Sequence, residues 1–144
     1  MTTEDVFCHQ LINVNKHVMV KWRLKINSSQ QRFGKARGIM IGLSGIRWRP
    51  LLYAHCSGLA WSDADTFEKQ KNEEMKALPF QQGDIVEFFV DFKCRQIGYR
   101  VNEKMFIITK IPASHFKYEY KYRFRVSLQT CYKSSVSIID FCAE

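Results

Sequence analysis

His55 and Cys56 are the residues with the clearest potential for chemistry, because a cysteine beside a histidine is a common nucleophile arrangement. The apolar run over residues 51–56 predicts a short strand, in which neighbouring side chains point to opposite faces. The two side chains are therefore not expected to face each other. Nothing in the sequence places His17 or His115 beside Cys56 instead. We expect a protein without enzymatic activity and predict no catalytic residues.

The remaining reactive groups lack the spacing that metal binding or cofactor chemistry requires. The five cysteines stand at positions 8, 56, 94, 131 and 142, and no two of them form a CxxC pair. The carboxylates of Glu68, Glu73 and Glu74 alternate with lysines, which is typical of a solvated segment of mixed charge. Glycine-rich phosphate loops and HExxH motifs are missing. We predict no cofactor, no metal and no small-molecule substrate.

Composition predicts one compact domain over residues 1–144. Hydrophobic residues make up 46% of the 144 residues and aromatic residues 14%, which is enough for a continuous core. The chain begins with polar and acidic residues, and no apolar stretch approaches the roughly 18 residues of a membrane span. With an odd number of dispersed cysteines, this favours a soluble protein of a reducing, cytoplasmic compartment.

The chain is basic, with 22 Lys and Arg against 14 Asp and Glu and a formal net charge of +8. Such an excess suits an acidic protein surface, an RNA or an anionic lipid face. The alternative interpretation is that the charge serves solubility alone.

Period-two alternation is the main structural signal and predicts an all-β fold. It is clearest over residues 17–27, where Val18, Val20, Trp22, Leu24 and Ile26 alternate with Met19, Lys21, Arg23 and Lys25. Further strands are predicted at residues 38–44, 51–56, 85–93, 97–101, 105–109, 122–129 and 136–141. Residues 62–78 fit either a long charged loop or a helix, and we favour the loop.

The order of short motifs in the second half resembles the SPRY family. Gly83-Asp84 precedes a strand containing Val90-Asp91-Phe92, and Tyr99 is followed by Val101-Asn102. The pieces Ile111-Pro112, Val126-Ser127-Leu128 and Val136-Ser137-Ile138 follow in the family's order. The resemblance covers roughly residues 17–142, with residues 1–16 as an N-terminal strand or extension. Glu103 stands where the family usually has glycine.

The resemblance implies a bent two-sheet antiparallel β-sandwich, a concanavalin-like jelly roll, whose edge loops bind a partner protein. The loops at residues 27–37, 45–51, 57–65 and 129–134 are the candidates for that surface. Trp and Arg dominate interface hot spots, so Arg47, Trp48 and Arg49 are the first candidate anchor. Gln129, Thr130 and Tyr132 form the second. The alternative for Trp48 is that it packs onto the core.

Alternation also predicts a basic face. If Tyr122, Phe124 and Val126 point inward, then Lys121, Arg123 and Arg125 form a row on the outer side of their strand. Lys21, Arg23 and Lys25 form a similar row on theirs. Such rows follow phosphates or acidic side chains in some proteins and are simply solvated in others.

Two functional hypotheses follow from these features. The first is a protein–protein interaction module, an adaptor or scaffold that presents edge loops to a partner protein or peptide. The alternative is a basic structural subunit of a large assembly that contacts RNA or an acidic filament such as a microtubule. We expect the first.

Overall fold

The protein is a β-sandwich of two antiparallel sheets, described here from a computed structural model. The structure describes residues 3–13, 16–28, 31–32, 35–36, 38–45, 50–62, 74–110, 121–129 and 134–144. None of these described residues is helical. The all-β fold that alternation predicts and the two-sheet antiparallel sandwich that the resemblance implies are therefore confirmed.

Fourteen strands are found in the described residues. In chain order they are β1 (Thr3–Phe7), β2 (Ile12–Asn13), β3 (Met19–Ser28), β4 (Gln31–Arg32), β5 (Lys35–Ala36), β6 (Ile39–Ser44), β7 (Pro50–His55), β8 (Leu59–Ser62), β9 (Glu74–Lys76), β10 (Ile85–Asp91), β11 (Gln96–Val101), β12 (Lys104–Lys110), β13 (Lys121–Gln129) and β14 (Ser135–Ala143).

The larger sheet contains seven strands in the order β1-β13-β6-β7-β8-β9, with β2 paired to the start of β13. The smaller sheet has five strands in the order β12-β11-β10-β3-β14. The short strands β4 and β5 pair only with each other among the described residues. The first and last strands of the chain are thus edge strands, β1 in one sheet and β14 in the other.

Aromatic side chains from both sheets meet at the centre of the core. The rings of Trp22 on β3 and Phe124 on β13 stack with centroids 5.8 Å apart, and Phe88 and Phe141 approach Phe124 edge-on at 5.9 and 6.1 Å. All of the alternating apolar residues of β3 from Val20 to Ile26 are buried. The inward faces of β3 and β13 are therefore as alternation predicts.

Val18 departs from the prediction for the opening strand. It was expected to belong to the buried set of residues 17–27, but it is 54% exposed and β3 begins one residue later, at Met19. Its backbone N–H donates to the Glu144 carbonyl, 2.6 Å away, so Val18 lies where the chain joins the end of β14 rather than over the core.

The ambiguous segment at residues 62–78 ends in a strand. Glu74–Lys76 form β9, which pairs with β8, and the Ala77 N–H donates to the Gly58 carbonyl across 2.7 Å. Residues 63–73 lie outside the described residues. In its described C-terminal part, the segment is therefore neither the predicted loop nor the alternative helix.

Candidate functional site

The His55–Cys56 pair does not form a nucleophile. The Cys56 side chain is fully buried, and this burial raises the pKa of its thiol, which disfavours the thiolate. The Nδ1 atom of His55 instead lies 2.6 Å from the Ser57 hydroxyl and accepts the Ser57 backbone N–H across 3.1 Å. The two neighbouring residues thus have separate local roles in the turn after β7.

The other potential ligands are dispersed in the described part of the chain. Cys8, Cys56, Cys94 and Cys142 are free thiols, two of them buried and two exposed. Within the described ranges, no three His, Cys, Asp or Glu side chains come together as a metal site would require. Glu74 lies on β9, whereas Glu68, Glu73 and Cys131 lie outside the described residues.

The two predicted basic rows lie on opposite outer faces of the sandwich. Lys21, Arg23 and Lys25 belong to β3 in the five-stranded sheet, and Lys121, Arg123 and Arg125 belong to β13 in the seven-stranded sheet. The strands face each other through the Trp22–Phe124 stack, so their outward side chains point in opposite directions. The six residues therefore do not form one continuous surface.

On the five-stranded sheet, Arg23 of the basic row belongs to a cross-strand series of alternating charge. Arg23 makes a bidentate ion pair with Asp140 on β14, in which Nε donates to Oδ1 across 2.8 Å. Glu87 pairs in register with both Arg23 and Arg100. The Arg23 guanidinium holds the pKa of the Asp140 carboxyl below its usual value. The charges of this one series are therefore balanced, whereas Lys21 and Lys25 lie on β3 on either side of it.

On the seven-stranded sheet, Arg125 is held in a network across three strands. Its Nη2 donates to the Asp5 carboxylate on β1 at 2.9 Å, and its Nε donates to the Ser127 hydroxyl at 3.0 Å. Its Nη1 lies 3.5 Å from the Ser44 hydroxyl, and the Phe7 ring centroid lies 5.4 Å from its Cζ. Arg125 is therefore fixed flat against the sheet, while Lys121 at the start of β13 is exposed.

One row of residues crosses this outer face from strand to strand. Phe7 pairs with Arg125, Arg125 with Gly42, Gly42 with Tyr53, and Tyr53 with Trp61. The Tyr53 and Trp61 rings stack with centroids 5.5 Å apart. The row thus combines an aromatic pair, a glycine and a fixed arginine, and we call it the Gly42 row.

The two predicted loops that carry the candidate anchor residues start from opposite ends of the seven-stranded sheet. Residues 45–51 follow Ser44, which pairs with Arg123, whereas residues 129–134 follow Leu128, which pairs with Ile39. Ser44 and Ile39 are the two ends of β6, which are roughly 17 Å apart at 3.3 Å per residue. Arg47, Trp48, Arg49, Thr130 and Tyr132 themselves lie outside the described residues.

Of the six residues predicted as binding anchors in these two loops, Gln129 alone lies in the described part of the chain. It ends β13, pairs with Thr3 and donates its backbone N–H to the Gly38 carbonyl at 2.8 Å. Its position is thus at the end of the sheet away from Ser44. The C-terminal end of β6, at Ser44, lies at the same end of the sheet as Lys121 and Arg123.

Sequence reasoning missed most of the Gly42 row. Tyr53 alternates with the buried Leu52 and Ala54, so period-two alternation on β7 was a signal that would have placed it outside. The contact between Asp5 and Arg125 had no such signal, because it joins residues 120 positions apart. Only the pairing of β1 with β13 brings them together.

The fold places this chain in the class of antiparallel jelly-roll β-sandwiches. It is similar to the SPRY domain of human HERC1, with a TM-score of 0.67 and 14% identity over 96% of this chain and 82% of that domain. It is also similar to CG-16, a homodimeric agglutinin from chicken liver, with a TM-score of 0.55 and 19% identity over 98% of this chain and all of CG-16.

A toad ovary galectin in complex with thio-digalactose has a TM-score of 0.53 and 12% identity, over 95% of this chain and all of the galectin. No protein-family model matches the sequence, and no curated protein matches it significantly. At these identities the common property is the fold, and one sandwich can carry different binding sites. The described residues contain no helix that is long and apolar enough to cross a membrane.

Proposed function

We propose that this chain is a non-catalytic interaction module that holds an acidic segment of another protein. Its binding surface is the end of the seven-stranded sheet where β6 ends at Ser44 and β7 begins at Pro50. The basic row of Lys121, Arg123 and Arg125 starts at this end. Arg47, Trp48 and Arg49, which come between Ser44 and Pro50 in the sequence, are the proposed anchor. The observation that supports this choice of surface most directly is that Arg123 pairs with Ser44, the last residue of β6.

The chemistry of this surface supports an acidic protein partner. Exposed and half-buried basic side chains attract carboxylates over a distance, while a tryptophan between two arginines supplies the apolar contact that dominates interface energetics. The surrounding sheet is rigid, so little ordering entropy is lost on binding. Gln129 lies at the other end of the sheet, and we propose it, with Thr130 and Tyr132 that follow it in the sequence, as a second, separate contact region.

We also propose that the chain belongs to the SPRY family. The ordered motifs of residues 83–138 support this assignment, and so does the similarity to the SPRY domain of HERC1. A further support is that the Gly83-Asp84 and Asn102 pieces are hydrogen-bonded to each other, so the pattern describes one structural corner. In this proposal the chain works as an adaptor or scaffold in the cytoplasm.

The alternative of a subunit that contacts RNA or an acidic filament gains no specific support. A long phosphate track needs a continuous basic surface, and the two basic rows face in opposite directions. Two of their six members, Arg23 and Arg125, are already ion-paired with Asp140 and Asp5.

The experiment that tests the proposed function is affinity capture of a protein partner from lysate, with and without nuclease treatment. The bait is the tagged chain, compared with the Trp48→Ala variant and with a Met105→Ala variant as a control on the other sheet. We expect Trp48→Ala to lose the partner while retaining the wild-type circular dichroism spectrum. Unfolding of Trp48→Ala would assign Trp48 to the core, and capture that disappears with nuclease would support the RNA alternative.

A further inference from the structure

A shallow depression lies above Gly42 on the outer face of the seven-stranded sheet. Arg125 lies on one side of Gly42 and Tyr53 on the other, and between them the glycine leaves an open space of about 70 Å³. Met40 and Ser127 complete the rim. All of the residues that line the depression belong to the described part of the chain.

The glycine at the floor is fixed by the backbone. A Cβ atom on Gly42 would overlap the carbonyl oxygen of Leu52, because β6 and β7 approach closely just before their register shift between Leu43 and Ser44. No other residue type fits there without moving a strand. The depression is therefore a permanent feature of the sheet.

The two walls are fixed as well. Arg125 is held by Asp5 and Ser127, and the Tyr53 ring is stacked on Trp61. A ligand group that enters between them therefore meets a preformed surface, which avoids the entropic cost of ordering side chains on binding.

We propose that the Gly42 depression receives one apolar side chain of the acidic segment, an inference that rests on the proposed function. A water needs about 10–15 Å³ of such space, so the depression holds a group several times larger, the size class of a branched aliphatic side chain. Acidic residues on one side of that group then face Arg123 and Lys121, which both precede Arg125 on the same strand. The partner motif is thus an aliphatic residue with carboxylates beside it on that side.

A saccharide fits the depression less well. Sugar hydroxyls require several polar partners, whereas the Ser127 hydroxyl on the rim already accepts from Arg125, and the Nη2 of Arg125 already donates to the Asp5 carboxylate. The floor and the Tyr53 and Met40 walls are mostly apolar. The observations therefore favour an aliphatic group over a sugar ring.

Two blocked pentapeptides test this inference by calorimetric titration: Glu-Glu-Leu-Glu-Glu and Glu-Glu-Ser-Glu-Glu. We expect the leucine peptide to bind about tenfold more tightly, because burying a leucine side chain contributes on that order. The preference should disappear in Tyr53→Ala, which removes a wall. It should persist in Met105→Ala, which removes a 54% exposed side chain from the other sheet.

The outcomes separate the inference from the proposed function. Equal binding of the two peptides overturns the inference alone, because the acidic contacts then suffice. Failure of both peptides to bind overturns the proposed acidic segment and the inference with it. In two-dimensional NMR, the Gly42 amide resonance should shift with the leucine peptide. A Gly42 shift with thio-digalactose and none with the leucine peptide would support a sugar site and contradict the inference.

Discussion

The side-chain amide of Asn102 donates a hydrogen bond to the Asp84 carboxylate across 3.1 Å. Its oxygen accepts the Ile85 backbone N–H at 3.2 Å, and the other carboxylate oxygen of Asp84 accepts the Gln81 N–H at 2.9 Å. Asn102 also has a positive φ of 55°, so it makes the tight turn between β11 and β12 where Glu103 replaces the family's glycine. The two motif pieces Gly83-Asp84 and Asn102, distant in sequence, thus form one corner of the fold, which we call the Asn102 corner.

The Asn102 corner predicts separable effects of two substitutions. Asn102→Ala should reduce the free energy of unfolding by about 1–3 kcal/mol, because it removes the hydrogen bonds and places alanine at a positive φ. Asn102→Gly should cost less, since glycine tolerates that φ. Urea denaturation measures both, with the neighbouring Glu103→Ala as control. Equal losses for the alanine and glycine variants would show that backbone strain plays no part.

Tyr99 fixes the backbone of Leu78, two residues before Phe80, through two hydrogen bonds. Its hydroxyl donates to the Leu78 carbonyl at 2.7 Å and accepts the Leu78 N–H at 2.8 Å, while its ring is fully buried. Tyr99→Phe keeps the ring but leaves both backbone groups of Leu78 unpaired, at a cost of about 1–3 kcal/mol in the free energy of unfolding. A urea midpoint equal to that of the wild type would contradict this role.

The same residue gives a prediction for alkaline pH. Burial is the main cause that raises the pKa of Tyr99 to about 12 from its usual value near 10. Because the folded-state pKa is the higher one, the stabilisation is complete below pH 10 and is lost as the pH rises towards 12. Denaturation series across this range should show a steeper loss for the wild type than for Tyr99→Phe. An equal loss of stability in the wild type and in Tyr99→Phe across this pH range would contradict the raised pKa of Tyr99.

The Arg23–Asp140 pair gives a prediction for acid pH. Arg23 lowers the pKa of Asp140 in the folded state, so the stabilisation is present above the unfolded-state pKa, near 4, and is lost as the pH falls through the folded value. Asp140→Asn should therefore lose less stability than the wild type between neutral and acid pH. The pair lies at the surface, so the difference should be small. The change in urea midpoint between the two pH values is the measurement.

Much of the fold was predictable because burial on one face of a strand imposes a period of two. That rule placed Phe124 inside and Lys121 outside. The order of the short motifs, through the resemblance to the SPRY family, predicted the sandwich. Alternation could not find β8 or β9, which are short and lie beside a charged segment. It also could not show that Arg125 meets Asp5, or that residues 45–51 and 129–134 start from opposite ends of β6, since both depend on long-range pairing.

In our proposal a partner binds on the seven-stranded face and not on the opposite one. Lys121 and Lys25 are both exposed lysines on strands, one on each outer face, so their charge reversals form a matched pair. We would measure the dissociation constant of the captured partner for Lys121→Glu and Lys25→Glu. We expect Lys121→Glu to weaken binding about tenfold and Lys25→Glu to leave it unchanged. Weakening by Lys25→Glu with no effect of Lys121→Glu would show that the partner binds on the five-stranded face instead.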